Sequence, residues 1–134
     1  MSADLVRVLV VDDQPPFRAA ARAVVDRMEG FEVVAEAASG EEAVVKVAEV
    51  HPHLILMDIK MDGIDGIEAT RQVLVVDPLV KVVLLSTYEL DDLPPAARTS
   101  GAIGYVNKDE FGTRVLRRLW SGADGGEFVA VAAD

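Results

Sequence analysis

The chain predicts an α/β domain, a doubly wound parallel five-stranded sheet with helices on both faces. Three observations predict it. Short apolar runs alternate with stretches of helical periodicity five times over. The runs are almost continuously apolar, as strands buried on both faces are. Two of them end in acid: Leu5–Val11 runs into Asp12 and Asp13, and Leu54–Met57 runs into Asp58. A carboxylate is costly to bury unless something pairs with it, and the carboxyl edge of a parallel sheet is where such folds place their chemistry.

The first strand is read over Leu5–Val11. The first helix starts near Pro15 and Pro16, where a missing N–H is tolerated. Phe17, Ala20, Ala21, Val24 and Met28 form its inward face, and Gly30 ends it. The second strand covers Glu32–Ala37. Ser39 and Glu42 form a capping box that opens the second helix, whose inward residues are Ala43, Val47 and Val50. Pro52 closes that helix, and the third strand is Leu54–Met57. The third helix runs from Gly66 to Val76 with Ile67, Thr70, Val73 and Leu74 inward, and Asp77-Pro78 breaks it. The fourth strand is Val80–Leu85, ending in Ser86. The fourth helix is expected to be short or to start at Pro94, because Pro94-Pro95 falls in its first turn. The fifth strand is Gly104–Val106 and the fifth helix Glu110–Trp120. Residues 122–134 are expected to be a tail without further pattern, leaving residues 1–121 as the domain.

The bulk properties narrow the function. A chain of 134 residues suits one domain of roughly 100–150 residues. Aromatics make up 5% of the chain against 51% hydrophobic residues overall, so aliphatic side chains must fill the core. A net charge of −10 argues against direct nucleic-acid binding by this chain, since phosphate contacts need clustered Lys and Arg. With no cysteine, thiolate chemistry and cysteine-ligated zinc are excluded. No secretory signal and no apolar run of membrane-spanning length is visible, so a cytoplasmic location without membrane contact is expected.

The motifs then converge. Val10-Val11-Asp12-Asp13, Leu56-Met57-Asp58, Gly63 to Gly66, Leu85-Ser86-Thr87, Gly101-Ala102 and Lys108 follow one another in order. With them the chain resembles the receiver domain of two-component response regulators, a flavodoxin-like (βα)5 fold with strand order 2-1-3-4-5. Ser86-Thr87-Tyr88-Glu89 and Lys108-Asp109 are most similar to receivers of LuxR-like regulators of the nitrate/nitrite-response type.

The residue types suit the chemistry this resemblance implies. Asp58 is a carboxylate nucleophile that can form an acyl phosphate. Asp12, Asp13 and Asp58 offer hard oxygens to Mg²⁺, with Mn²⁺ as a substitute. The resemblance adds the backbone carbonyl of Lys60 as a ligand. Lys108 is a flexible point cation suited to a phosphoryl oxygen. Ser86 and Tyr105 correspond to the family's switch pair, and both an inward and an outward Tyr105 ring are expected states. Lys60 and Tyr88 flank the family's route for attacking water and are expected to set the dephosphorylation rate. The implied partners are a sensor histidine kinase and a second copy, met through the fourth helix, fifth strand and fifth helix or through the first and fifth helices. Self-phosphorylation and self-dephosphorylation are the only catalysis implied. Subgroup members carry a helix-turn-helix DNA-binding domain after the receiver, and none is expected within these 134 residues.

Several positions depart from the family pattern. Asp62 replaces a usual proline, which adds an acid near the metal site and loosens the loop. Ser86 replaces the commoner Thr. Lys108 precedes Asp109 rather than proline, where the family often has a cis bond. A non-proline cis bond costs about 2.5–4 kcal/mol, and a trans bond with Lys108 still reaching the pocket would rule it out.

Other readings weigh less. Asp58-x-Lys60-x-Asp62-Gly63 brushes a calcium-loop pattern but has Lys60 at a ligand position. His51-Pro52-His53 reads as a solvated turn before it reads as a metal pair. Trp120 is expected to pack the fifth helix. A hydrolase with an aspartyl nucleophile would need an acid where Lys60 stands, and a nucleotide-binding loop would need glycines where Asp12-Asp13-Gln14-Pro15-Pro16 stands. The remaining alternative is a degenerate receiver acting only as a protein-interaction module.

Overall fold

Residues 4–131 are described in a computed structural model of the chain. Five strands, β1 (Val6–Val11), β2 (Phe31–Ala37), β3 (Leu54–Asp58), β4 (Lys81–Ser86) and β5 (Gly104–Asn107), alternate with five helices. These are α1 (Pro15–Asp26), α2 (Gly40–Val50), α3 (Gly66–Val76), α4 (Pro95–Arg98) and α5 (Thr113–Ser121). All strand pairings are parallel, in the expected order β2-β1-β3-β4-β5, and a sixth strand, β6 (Val129–Val131), extends the sheet beyond β5.

Alternate residues of each central strand feed opposite layers, because successive side chains point to opposite faces. Leu9, Val11, Ile55, Met57, Val82 and Leu84 pack with α2, α3 and α4. Val8, Val10, Leu54, Leu56, Val83 and Leu85 pack with Ala21, Val25 and Met28 near α1 and with Leu116 and Leu119 of α5. All five residues of β3 are buried, including Asp58. Burial on both faces is why the central strands show no polar alternation.

The helix boundaries have local causes. Ser39 caps α2 by accepting from the Glu42 amide at 3.0 Å, while Glu42 accepts from the Ala38 amide. Asp65 caps α3 in the same way, accepting from the Glu68 amide at 2.8 Å. The fourth helix is short, as the proline pair predicts, with Pro94 at its N-cap.

Four details differ from the sequence reading. Ala20 is exposed on α1 and Val25 is buried, while Phe17, Ala21, Val24 and Met28 face inward as expected. Helix α1 ends at Asp26, and Gly30 lies in the turn into β2, where its carbonyl accepts from Val6 N. Helix α5 starts at Thr113, because Lys108–Glu110 form a separate 3-10 turn. The expected patternless tail instead returns to the sheet: Gly104, Tyr105 and Val106 pair with Val129, Ala130 and Val131. Gly104 permits this return, since a Cβ there would lie 2.3 Å from the Val129 carbonyl oxygen. Residues 132–134 of that expected tail and residues 1–3 of the expected domain lie outside the described residues.

The described residues contain no cis peptide bond, so the Lys108–Asp109 bond is trans. No helix among them is long and apolar enough to cross a membrane. Trp120 packs edge-on against Phe31, with ring centroids 6.0 Å apart. His53 accepts from the Arg7 amide through Nδ1 and His51 takes a left-handed conformation at the end of α2, which leaves a turn rather than a metal pair.

Candidate phosphoacceptor site

Strand register builds the site. β1 lies beside β3, so Asp12 and Asp13, just past Val11, emerge next to Asp58 at the carboxyl edge of the sheet. One carboxylate oxygen from each of the three lies within 4.8 Å of the others. Asp12 and Asp58 are buried and Asp13 is exposed, so the pocket has two fixed walls and one open side.

Lys108 enters from the turn after β5. Its Nζ lies 2.8 Å from Asp12 Oδ2 and 3.3 Å from Asp58 Oδ1. The trans bond therefore brings Lys108 into the pocket, and a cis bond has no part in placing it. The same Nζ sits 4.4 Å from the centre of the Phe17 ring, whose negative face favours a cation there. Phe17 thus does more than the core packing its periodicity suggested.

Backbone contacts hold the acids in place. Asp12 Oδ1 accepts from the Gln14 amide at 2.8 Å, and Arg18 donates to the Asp12 carbonyl at 2.7 Å. Arg18 also reaches Glu36 on β2 at 3.3 Å. Asp12 Oδ2 is buried and faces the Lys108 ammonium. Three clustered carboxylate oxygens form a donor set that fits a hard divalent cation. Asp62, by contrast, is exposed and is not among the clustered acids. Its loop is not left loose, because Glu41 Oε2 accepts from the Ile64 amide at 3.1 Å.

The Asp58 carboxyl is pushed up to about 6 from an ordinary 3.8 by burial and then by the charge of Asp12, against the opposing pull of Lys108. The folded protein therefore keeps a proton on Asp58 at a pH where the unfolded chain has lost it. The stability this supplies is present below pH 3.8 and is lost as pH rises through about 6. At neutral pH and without divalent ions, the Asp58→Asn variant should accordingly melt at a higher temperature than the native chain. Added Mg²⁺ should narrow the difference. A lower melting temperature for Asp58→Asn in EDTA would contradict this electrostatic reading.

Ser86 ends β4, buried, one residue past the Leu85 that pairs with Asp58. Tyr105 is buried and inward. Its hydroxyl donates to the Ser86 carbonyl at 3.0 Å and to the Tyr88 carbonyl at 2.7 Å. Burial, with the charge of Glu89, pushes the Tyr105 hydroxyl up to about 12, so it stays a donor across the ordinary pH range. Lys60, in the loop after β3, and Tyr88, in the loop after β4, are in contact, with Nζ 4.2 Å from the ring centre. Seven of the eight sequence-predicted site residues thus lie at or just past this edge of the sheet, and the eighth, Tyr105, lies within β5 with only its hydroxyl reaching toward it. The supporting residues Phe17, Arg18, Glu41 and Asn107 went unseen in the sequence, where only the helical position of Phe17 gave any signal.

A doubly wound sheet with an acidic trio and a lysine at its carboxyl edge defines a receiver-type signalling domain. Residues 8–119 match the family described as response regulator receiver domain, and the chain belongs to that family. It is 42% identical over 104 residues to the response regulator GacA of Pseudomonas protegens, covering 78% of this chain and 49% of that protein. With the response regulator UvrY of Escherichia coli it shares 33% identity over 126 residues, 94% of this chain and 58% of the relative. The chain thus spans about half the length of the curated relatives it matches. Among solved structures it is similar to a LuxR-family two-component response regulator from Aurantimonas sp. SI85-9A1. That likeness has a TM-score of 0.82 at 30% identity and covers 93% of this chain and 89% of the other.

Proposed function

We propose that the chain is a phosphoacceptor switch in which Asp58 takes a phosphoryl group from a phosphohistidine kinase or a small phosphodonor. The observation that carries this is the contact of one ammonium, Lys108, with two buried carboxylates beside a third, at the end of a buried strand. Mg²⁺, or Mn²⁺ in its place, would be held by Asp12, Asp13, Asp58 and the Lys60 carbonyl. It would supply charge neutralisation for the transferring group.

The chain's own groups do the rest. A carboxylate oxygen of Asp58 attacks phosphorus, the bond to the donor's nitrogen or carboxylate oxygen breaks, and the leaving group keeps the electron pair. Lys108 then turns from its carboxylate partners to a phosphoryl oxygen, adding no bond-making step of its own. Ser86 donates its hydroxyl to the phosphoryl group, beside a Tyr105 ring that already points inward. Slow hydrolysis by water resets the switch.

The proposed reading of change is at α4, β5 and α5. There β6 already pairs with one edge of β5, so a second copy docking on this face meets β6 as well. Docking through α1 and α5 is the other route. Where a helix-turn-helix domain accompanies the receiver, the expected output is control of transcription from the cytoplasm. A degenerate, partner-binding receiver is disfavoured because every acid and the lysine are in contact distance.

Incubation with acetyl phosphate and Mg²⁺ followed by intact mass tests the proposal. One added phosphoryl group is expected, absent in Asp58→Asn and absent with EDTA. No adduct on the native chain would reject it. The contact of Lys60 with Tyr88 leads to a further expectation. Lys60→Ala and Tyr88→Ala should each change the lifetime of phospho-Asp58 by about threefold or more, of the order that one lost contact near 1 kcal/mol allows. Unchanged lifetimes in both would remove these residues from the reset step.

A further inference from the structure

Asn107 is the last residue of β5 and is buried. Its side chain spans two segments that are otherwise separate. Nδ2 donates to the Tyr88 carbonyl at 3.0 Å, and Oδ1 accepts from the Asp109 amide at 2.9 Å. The orientation of the amide follows from these partners, since a carbonyl needs a donor and an N–H needs an acceptor. The Tyr88 carbonyl also receives the Tyr105 hydroxyl, so two side chains of β5 converge on one oxygen. The Asp109 amide belongs to the 3-10 turn that begins with Lys108, and Asn107 is the cap of that turn.

We propose that Asn107 is a positioning residue for phosphoryl transfer, tying the loop that carries Tyr88 to the turn that carries Lys108. Its side-chain hydrogen bonds go to Tyr88 and Asp109, not to the carboxylates. Its effect passes through two neighbours: Lys108, which must reach the acids, and the Tyr88 loop, which seats Lys60 and accepts from Tyr105. A buried amide with both ends satisfied acts as a rigid strut, and losing one end frees only the segment at that end. Ser86 and Asn107 are register partners across β4 and β5, so the strut starts beside the hydroxyl that would meet the phosphoryl group. The catalytic part of this proposal rests on the phosphoacceptor reading. The strut itself does not.

Two variants separate the two ends. Asn107→Ala removes both hydrogen bonds, whereas Asn107→Asp keeps an acceptor for the Asp109 amide and loses the donor to Tyr88. Amide hydrogen exchange in the unphosphorylated protein, with the β3 amides as reference for global opening, reads each segment. Asn107→Ala should speed exchange in residues 87–93 and 109–111 by about fivefold relative to β3, the effect expected of one lost buried hydrogen bond. Asn107→Asp should restore 109–111 and leave 87–93 fast. Phosphoryl uptake from acetyl phosphate with Mg²⁺ should slow by about fivefold in Asn107→Ala. Should Asn107→Ala not fold, the segment contrast in Asn107→Asp decides alone. Exchange in 87–93 that keeps pace with β3 in the folded variants would overturn the strut. Altered exchange with native uptake rates would overturn its role in transfer. A native chain that takes no phosphoryl group would reject the phosphoacceptor reading while the exchange contrast still judges the strut.

Discussion

Replacing Lys108 with alanine is expected to slow phosphoryl uptake about a hundredfold, equivalent to roughly 2.7 kcal/mol of lost transition-state stabilisation. The ammonium lies 2.8 Å from Asp12 Oδ2 and 3.3 Å from Asp58 Oδ1. Its removal leaves three clustered carboxylates with no cation from the protein. Asp58, already pushed up to about 6, would then hold its proton more tightly and be a poorer nucleophile. Stability in EDTA should also fall, by about 3 kcal/mol, because breaking a buried pair leaves an uncompensated charge. Mg²⁺ should return part of that stability but not the rate, since it does not replace the ammonium at the phosphoryl oxygen. Lys108→Arg should rescue poorly, because a planar fork does not fit where a point charge sits between two acids. Urea unfolding with and without Mg²⁺, beside uptake rates by intact mass, measures both effects. An uptake rate within about twofold of native would show that Lys108 is only an ion-pair partner.

The second large effect is expected at Gly66. A Cβ there would lie 2.0 Å from the Asp58 carbonyl oxygen and 2.9 Å from Ile59 Cα, both backbone atoms that cannot step aside as a flexible side chain can. Gly66 N also donates to the Ile59 carbonyl at 2.8 Å, so the first turn of α3 and the end of β3 are in direct contact. Gly66→Ala must push them apart. Overpacking of this kind costs about 3 kcal/mol, and here the backbone that moves is that of Asp58. A drop in urea midpoint together with slower phosphoryl uptake is the expected pair of results. A native midpoint would show that α3 can shift without cost.

Most of the scaffold could be read from the chain because its central strands are buried on both faces. Runs such as Leu54-Ile55-Leu56-Met57 admit little else between two helical patterns, and α3 falls where its periodicity and the Asp77-Pro78 break place it. The acids were legible for a different reason, since charge at the end of an apolar run is rare without a partner, whereas Lys108 was legible only through the resemblance. β6 was not legible. Three small residues after a glycine-rich stretch have no period to detect, and their strand conformation comes from the open edge of β5. The Asn107 strut was equally hidden, because its meaning lies in two partners, one of them 19 residues away in sequence. The exposed Ala20 marks the limit of helical patterning, in that alanine fits either face and only packing decides.

The central claim is that Asp58 carries the phosphoryl group. Borohydride reduces an aspartyl phosphate to homoserine, so treating the phosphorylated chain with it and mapping peptides by mass identifies the acceptor directly. Homoserine is expected at residue 58 alone, dependent on Mg²⁺. Homoserine at residue 12 or 13, or a phosphoryl group that survives on Ser86, would contradict it.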